Sequence, residues 1–167
     1  MSDTKRTSST PTTFNLLFVC TGNTCRSPMA EAVARSELQR RGWKHVVAAS
    51  AGISAYPDAP AAEGAVTAGK ELGFDLSAHR AQLVDPDLVE WADLILTMGV
   101  SHLRAITEMG GEGKVSLLGD FTEGEDGSGR PVSDPYGGDV TVYRETLAEL
   151  EGLVKLSLDR LAPILHP

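Results

Sequence analysis

A short apolar run, Phe14 to Cys20, passes through a Gly-containing loop, Thr21 to Arg26, directly into a segment with helical periodicity. The run reads as a buried strand. Pro28 to Arg41 places Ala30, Val33, Ala34 and Leu38 on one helical face, and Gly42 suits the helix end. A strand feeding a helix through a tight loop is the opening half of a βαβ unit, which steers the whole chain toward an α/β architecture.

The rest of the chain repeats the alternation. Strands are expected at His45 to Ser50, Asp93 to Met98 and Lys114 to Leu118. Helices are expected at about Pro60 to Leu72, ending at Gly73, at Val100 to Met109, and at Thr141 to Leu161. The last carries a packing stripe of Leu147, Leu150, Val154, Leu158 and Leu161. Gly119 to Ser133 is Gly-rich and acidic and reads as a surface loop. The expected fold is a three-layer α/β arrangement, a four-stranded parallel sheet with helices on both faces. Ligands in such sheets bind beyond the carboxyl ends of the strands. Residues 1–13 are polar and read as a disordered tail, leaving 14–167 as one domain.

With 167 residues the chain has room for one substantial core. A formal net charge of −8 argues against a nucleic-acid partner, so any phosphate must be captured by local donors. The tail lacks an apolar signal core, and no apolar run is long enough to span a membrane. The two cysteines, Cys20 and Cys25, share one short segment instead of spreading along the chain as in a disulfide-stapled secreted domain. A cytoplasmic protein with free thiols is the expectation.

The segment from Val19 to Pro28 reads VCTGNTCRSP. Helix starts offer unpaired N–H groups and a partial positive charge, so such a loop can wrap an anion. Ser27 has N-cap chemistry and Pro28 suits the first helical position. Gly22 permits the turn of a backbone nest. Arg26 brings a planar fork that matches two phosphate oxygens. Cys20 lies at the base in the same positive field, which favours a nucleophilic thiolate. The loop lacks the Gly-Lys-Ser/Thr ending of nucleotide-binding P-loops. Either cysteine alone reads as a small buried hydrophobe, and an Arg at a helix start as a solvated one. The combination at a strand-to-helix turn is what points to chemistry. A zinc site would need four ligands, which no neighbouring Cys or His completes.

At these residues the chain resembles the low-molecular-weight protein tyrosine phosphatase family. The match comprises CTGNTCRS (Cys20 to Ser27) with PMAEA after it, Ser50-Ala51-Gly52, His79-Arg80-Ala81-Gln82, Ala92-Asp93-Leu94-Ile95-Leu96-Thr97-Met98 and Asp134-Pro135-Tyr136. The resemblance implies that Cys20 is the nucleophile and forms a phosphocysteine. Arg26 would bind phosphate, and Asp134 would act as general acid and then base. Thr21, Gly22, Asn23, Thr24 and Cys25 would complete the phosphate cradle. Asn23, Ser50 and His79 would hold the loop, Ser27 would stabilise the thiolate, and Cys25 would be able to pair reversibly with Cys20. The residues alone do not distinguish Asp134 from Asp120, Asp126 or Asp139. Many family members carry an Asp after the third-strand Met, where this chain has Gly99; that Asp would tune the supporting histidine. No metal or organic cofactor is implied.

Substrate choice turns on Thr24. Tyrosine-specific members usually have a larger aliphatic residue there, whereas the bacterial protein arginine phosphatases of the family share CTGNTCRSPMAE and an Asp-Pro-aromatic-Gly-Gly stretch, here Asp134 to Gly138. A guanidino group brings N–H donors that the Thr24 hydroxyl or Asp134 can accept, and Tyr136 could stack on either substrate. Phosphoarginine protein is therefore the slightly favoured substrate, with phosphotyrosine protein the alternative. Arsenate reduction would call for further cysteines, and the chain has none after Cys25. A phosphate-binding or phosphocarrier module would not need the late Asp-Pro.

Overall fold

The computed structural model describes residues 13–123 and 131–165. The tail expected over residues 1–13 lies outside these but for Thr13, as does Asp126. The sheet has four strands in the order β2-β1-β3-β4, and every pairing is parallel. The first strand, β1 (Phe14–Cys20), is central, between β2 (Val46–Gly52) and β3 (Leu94–Thr97), with β4 (Val115–Leu117) at the edge beyond β3.

A central strand covered on both faces must be apolar on both, and β1 is. Leu16 and Phe18 point to one layer, packed with Met29, Val33, Leu147 and Leu150 from helices α1 (Arg26–Arg41) and α6 (Val140–Leu165). The same layer holds α2 (Glu63–Glu71) and α5 (Leu118–Glu123). Leu17 and Val19 point the other way, to α3 (Pro86–Trp91) and α4 (Val100–Ile106), where they meet Val89 and Ile106. This is the expected three-layer arrangement. The α6 stripe of Leu147, Leu150, Val154, Leu158 and Leu161 is buried throughout, as its spacing requires.

Several boundaries differ from expectation. The strand β2 runs on through Ala51 and Gly52, because its ladder with β1 extends until Gly52 is level with Cys20. Helix α2 starts at Glu63 instead of Pro60. The preceding backbone is used elsewhere, the Ala62 N–H donating to Thr24 O at 2.9 Å. Helix α4 stops at Ile106, and a π turn at Thr107–Gly111 replaces the continuation to Met109, with Gly110 in the left-handed region at φ 99°. Where a surface loop was expected from Gly119, α5 is helical. Buried Leu118 and Phe121 hold it on the core, and Arg160 lies over the Phe121 ring at 4.4 Å. Helix α3 was not expected, although Asp85 caps it by accepting from Leu88 N at 2.8 Å, and Pro86 opens it.

Candidate active site

The loop between β1 and α1 lies at the carboxyl end of the central strand, flanked by the ends of β2 and β3. Parallel neighbours on both sides put their own strand ends within reach of it, which is why a sheet of this topology builds its site here. A cleft of about 220 Å³ opens at this point, lined by Cys20, Thr21, Gly22, Thr24, Cys25, Arg26, Asp134 and Tyr136. Residues more than a hundred positions apart in sequence thus face one space.

Cys20 is buried at the base, with its Sγ 2.8 Å from Ser27 Oγ. This contact corrects the expected cap. Helix α1 starts at Arg26, with Cys25 in the N-cap position and no side-chain cap. Ser27 and Pro28 are therefore the second and third helical residues. The Ser27 hydroxyl is not a cap because it turns inward to the sulfur and accepts from Asn23 Nδ2 at 2.9 Å. Pro28 is tolerated there because first-turn N–H groups have no helical partner to lose.

The loop's shape depends on Asn23, which adopts φ 57° and is fully buried. A non-glycine residue in the left-handed region needs support. The side chain donates to Ser27 Oγ and to Ser50 Oγ (3.0 Å) and accepts from Gln82 N (2.9 Å). The Asn23 carbonyl accepts from His79 Nε2 at 2.7 Å. Ser50 in turn donates to Glu31 at 2.6 Å, and Glu31 pairs with Arg35. Ser50 and His79 thus both hydrogen-bond to Asn23. Asn23 belongs to the scaffold behind the loop and is absent from the cleft lining, unlike the other expected cradle residues. Gln82 lies within the His79-to-Gln82 stretch, and its residue type alone signals no role. It closes the network through its backbone N–H and through Nε2, which donates to Ser50 O.

Gly52 allows the loop to sit directly on β2. A Cβ there would lie 2.4 Å from Thr21 O and 2.9 Å from Asn23 N. Just beyond it, Ile53 N donates to Cys20 O (3.0 Å) and Ser54 N to Thr21 O (2.9 Å).

Arg26 is 7% exposed. Its Nη1 donates to Val132 O at 3.0 Å and its Nη2 lies 3.6 Å from Asp134 Oδ2. Asp134 reaches the cleft on the irregular segment before α6, where its Oδ1 accepts from Tyr136 N in a local turn. Of the other candidate acids, Asp139 instead caps α6 through Val142 N (3.2 Å), and Asp120 sits in α5; neither lines the cleft. Tyr136 is 76% exposed at the cleft mouth.

Cys25 is buried, its Sγ 3.4 Å from Tyr143 OH and 3.8 Å from Thr24 Oγ1. Desolvation pushes the Cys25 thiol up from its ordinary range, outweighing the lowering effect of those hydrogen bonds, and desolvation raises the Tyr143 phenol as well. Both cysteines are free thiols. Tyr143 had been overlooked because a tyrosine on a helix stripe carries no signal of its own.

His102 had also been overlooked. It is 2% exposed on α4, and its Nε2 lies 2.8 Å from Thr21 Oγ1. Burial depresses its pKa to about 4, aided by the positive charge of Arg26 and opposed by Asp134. Its position corrects the expectation for Gly99. A Cβ at position 99 would lie 3.5 Å from His102 Cε1 and Nδ1, so an Asp there would address His102. The loop-supporting His79 is bound to Asn23 on the other flank.

Comparison with known proteins agrees with this geometry. Residues 15–163 match the family described as low molecular weight phosphotyrosine protein phosphatase. A Bacillus subtilis protein named protein-arginine-phosphatase is 40% identical over 143 residues, covering 84% of this chain and 92% of that one. A Streptomyces coelicolor low molecular weight protein-tyrosine-phosphatase is 35% identical over 147 residues, 83% and 88% of the two chains. Among solved structures, the YwlE arginine phosphatase mutant with a phosphorylated active-site serine superposes with a TM-score of 0.82 at 38% identity, covering 89% of this chain and 95% of that one. The low molecular weight protein tyrosine phosphatase of T. tengcongensis gives 0.81 at 39%, covering 89% and all of that chain. With the motif, the fold and these relatives in agreement, the chain belongs to the low molecular weight phosphotyrosine protein phosphatase family.

Proposed function

We propose that this chain is a cysteine-dependent protein phosphatase that favours phosphoarginine. The observation that carries the reading is the convergence of Cys20, Arg26 and Asp134 on one cleft that Thr24 also lines. Cys20 attacks phosphorus as the thiolate. A P–S bond forms and the P–N or P–O bond to the substrate breaks. Asp134 protonates the departing nitrogen or oxygen, which would otherwise be a poor leaving group. Arg26 and the loop N–H groups carry the charge on the transferring phosphoryl oxygens. Water then attacks the phosphocysteine, Asp134 takes its proton, and inorganic phosphate leaves. Splitting one displacement into two lowers each barrier. The Ser27 hydroxyl, 2.8 Å from Cys20 Sγ, stabilises the thiolate as it forms and as it departs.

The substrate assignment rests on Thr24. Among the described residues its hydroxyl has only a long contact to Cys25 Sγ, so it can accept an N–H from a guanidino group. The Bacillus subtilis relative and a Geobacillus stearothermophilus relative, 38% identical over 151 residues, are both named protein-arginine-phosphatase. Phosphotyrosine is the second reading, favoured by the relatives named for that substrate and by Tyr136 at the cleft mouth. We assign the protein to the cytoplasm on its two free thiols. Among the described residues no helix is long and apolar enough to cross a membrane.

The test is turnover of a phosphoarginine peptide and a phosphotyrosine peptide side by side, with Cys20→Ser as the blank. Preference for phosphoarginine, moving toward phosphotyrosine in Thr24→Ile, is the expected result. Preference for phosphotyrosine, unmoved by Thr24→Ile, would remove Thr24 as the selector. No Cys20-dependent turnover of either would sink the phosphatase reading.

A further inference from the structure

The phosphate loop has a second support, on the flank opposite Asn23. Thr21 follows Cys20 directly and lines the cleft. Its carbonyl is held by Ser54 N and its hydroxyl oxygen by His102 Nε2. His102 Nδ1 is fully buried and has no hydrogen-bond partner among the described residues. Buried polar atoms are almost always paired, so an unpaired one constrains the chemistry of its group. An imidazolium here would bury a charge beside Arg26 with one donor unused, and the ring is neutral.

The tautomer follows from the unpartnered Nδ1. Arg26 from α1 and Asp134 from the segment before α6 are the charged groups that act on it, and Arg26 acts more strongly. A buried N–H left without an acceptor at Nδ1 costs more than a bare lone pair there. The ring proton is then on Nε2, which donates to Thr21 Oγ1. A hydroxyl oxygen that accepts on its inner side is free to donate its own proton elsewhere. No other partner for Thr21 Oγ1 exists among the described residues, and the residue is exposed to the cleft.

We infer that His102 is a positioning residue for phosphoryl transfer: by donating Nε2–H to Thr21 Oγ1 it fixes the Thr21 side of the loop and turns the Thr21 hydroxyl proton toward a phosphate oxygen in the cleft. This rests on the phosphatase reading above. It adds an oxyanion donor that the loop's backbone does not supply, and it assigns the α4 end of the structure a part in binding.

Orthovanadate, a phosphate mimic, tests the idea through its inhibition constant in wild type, Thr21→Val, His102→Leu, the double variant and His102→Gln. Thr21→Val and His102→Leu should each weaken vanadate binding about 10-fold. They should raise KM for p-nitrophenyl phosphate more than they lower kcat. The double variant should be no worse than either single one, since the two residues act as one unit. Gln can bring an amide N–H to the place of Nε2, so His102→Gln should recover most of the loss. Additive losses, an unaffected His102→Leu, or a His102→Gln as impaired as His102→Leu would each overturn the inference. Because His102→Leu could fail to fold, nitrogen NMR of the wild-type ring gives an independent reading. A protonated Nε2 with a bare Nδ1 at pH 7 is expected, and the opposite tautomer or an imidazolium would overturn it. Wild-type protein that binds no vanadate would bring down the phosphatase reading together with this one; wild-type binding with any of the other adverse results would bring down this one alone.

Discussion

Replacing Asn23 with Ala separates the two demands made on that residue. The first is hydrogen bonding. Three side-chain bonds would be lost, to Ser27, Ser50 and Gln82. At about 1 kcal/mol net for each, that is about 3 kcal/mol. The second is backbone strain. At φ 57° an alanine is disfavoured by about 1 kcal/mol more than a residue at ease there. The expected loss is about 4 kcal/mol, a large part of the roughly 5–15 kcal/mol that holds a domain together. Asn23→Gly loses the same bonds but accepts the positive φ, so it should be milder by about 1 kcal/mol. Urea unfolding followed by circular dichroism reads both, provided the slope is unchanged between variants. Turnover should drop by about 100-fold in both, because loop N–H groups that lose their aim act like a missing oxyanion donor. A loss below 1 kcal/mol in Asn23→Ala would refute the account of the network. Glycine no better than alanine would refute the account of the strain.

Three further outcomes follow from the geometry. Gly52→Ala would drive a methyl group into Thr21 O and Asn23 N, so the protein should lose phosphatase activity or fold poorly; wild-type kcat/KM would show that the loop has slack the distances deny. Asp134→Asn should slow phenyl phosphate far more than p-nitrophenyl phosphate, whose leaving group needs no proton, and equal slowing of both would remove Asp134 as the acid. The third concerns pH. His102 titrates near 4 when folded against an ordinary 6.5, so between those values the unfolded chain holds a proton that the folded chain lacks. Its contribution is intact above about pH 6.5 and declines by up to about 3 kcal/mol as pH falls to about 4. Urea midpoints of wild type and His102→Gln across that window give the difference, and parallel curves would contradict the buried neutral ring.

Much of the site was legible because its residues are adjacent in sequence. Cys20, Thr24, Arg26 and Ser27 lie within one turn-to-helix segment, and backbone geometry alone brings them together. Asp134 was legible only through the family resemblance, since Asp120, Asp126 and Asp139 lie in the same region and the residues alone do not rank them. His102, Tyr143 and Gln82 were missed for a different reason. Each acts through hydrogen bonds across a long stretch of chain, His102 to Thr21, Tyr143 to Cys25 and Gln82 to Asn23 and Ser50, and periodicity carries no trace of such bonds. The fold shows the same division. The β1 strand and the α6 stripe follow from apolar spacing, which burial enforces. The α5 helix escaped because Gly119, Asp120 and Thr122 suggest a loop, while Leu118 and Phe121 are fixed by tertiary contact. The end of α4 escaped because a π turn depends on how Gly110 and Gly111 close on the helix before them.

The anchoring of the loop has a consequence for the order in which the protein comes to life. Cys20 is translated early, yet the groups that shape its surroundings come from Ser50, His79, Gln82, His102, Val132 and Tyr143. Such distant partners can only be recruited late in folding, after the loops between them have closed. A nascent chain still lacking α6 therefore carries its cysteine without the cradle that gives it a purpose. Synthesis delivers an inert thiol first, and the enzyme follows only when nearly the whole chain has been made.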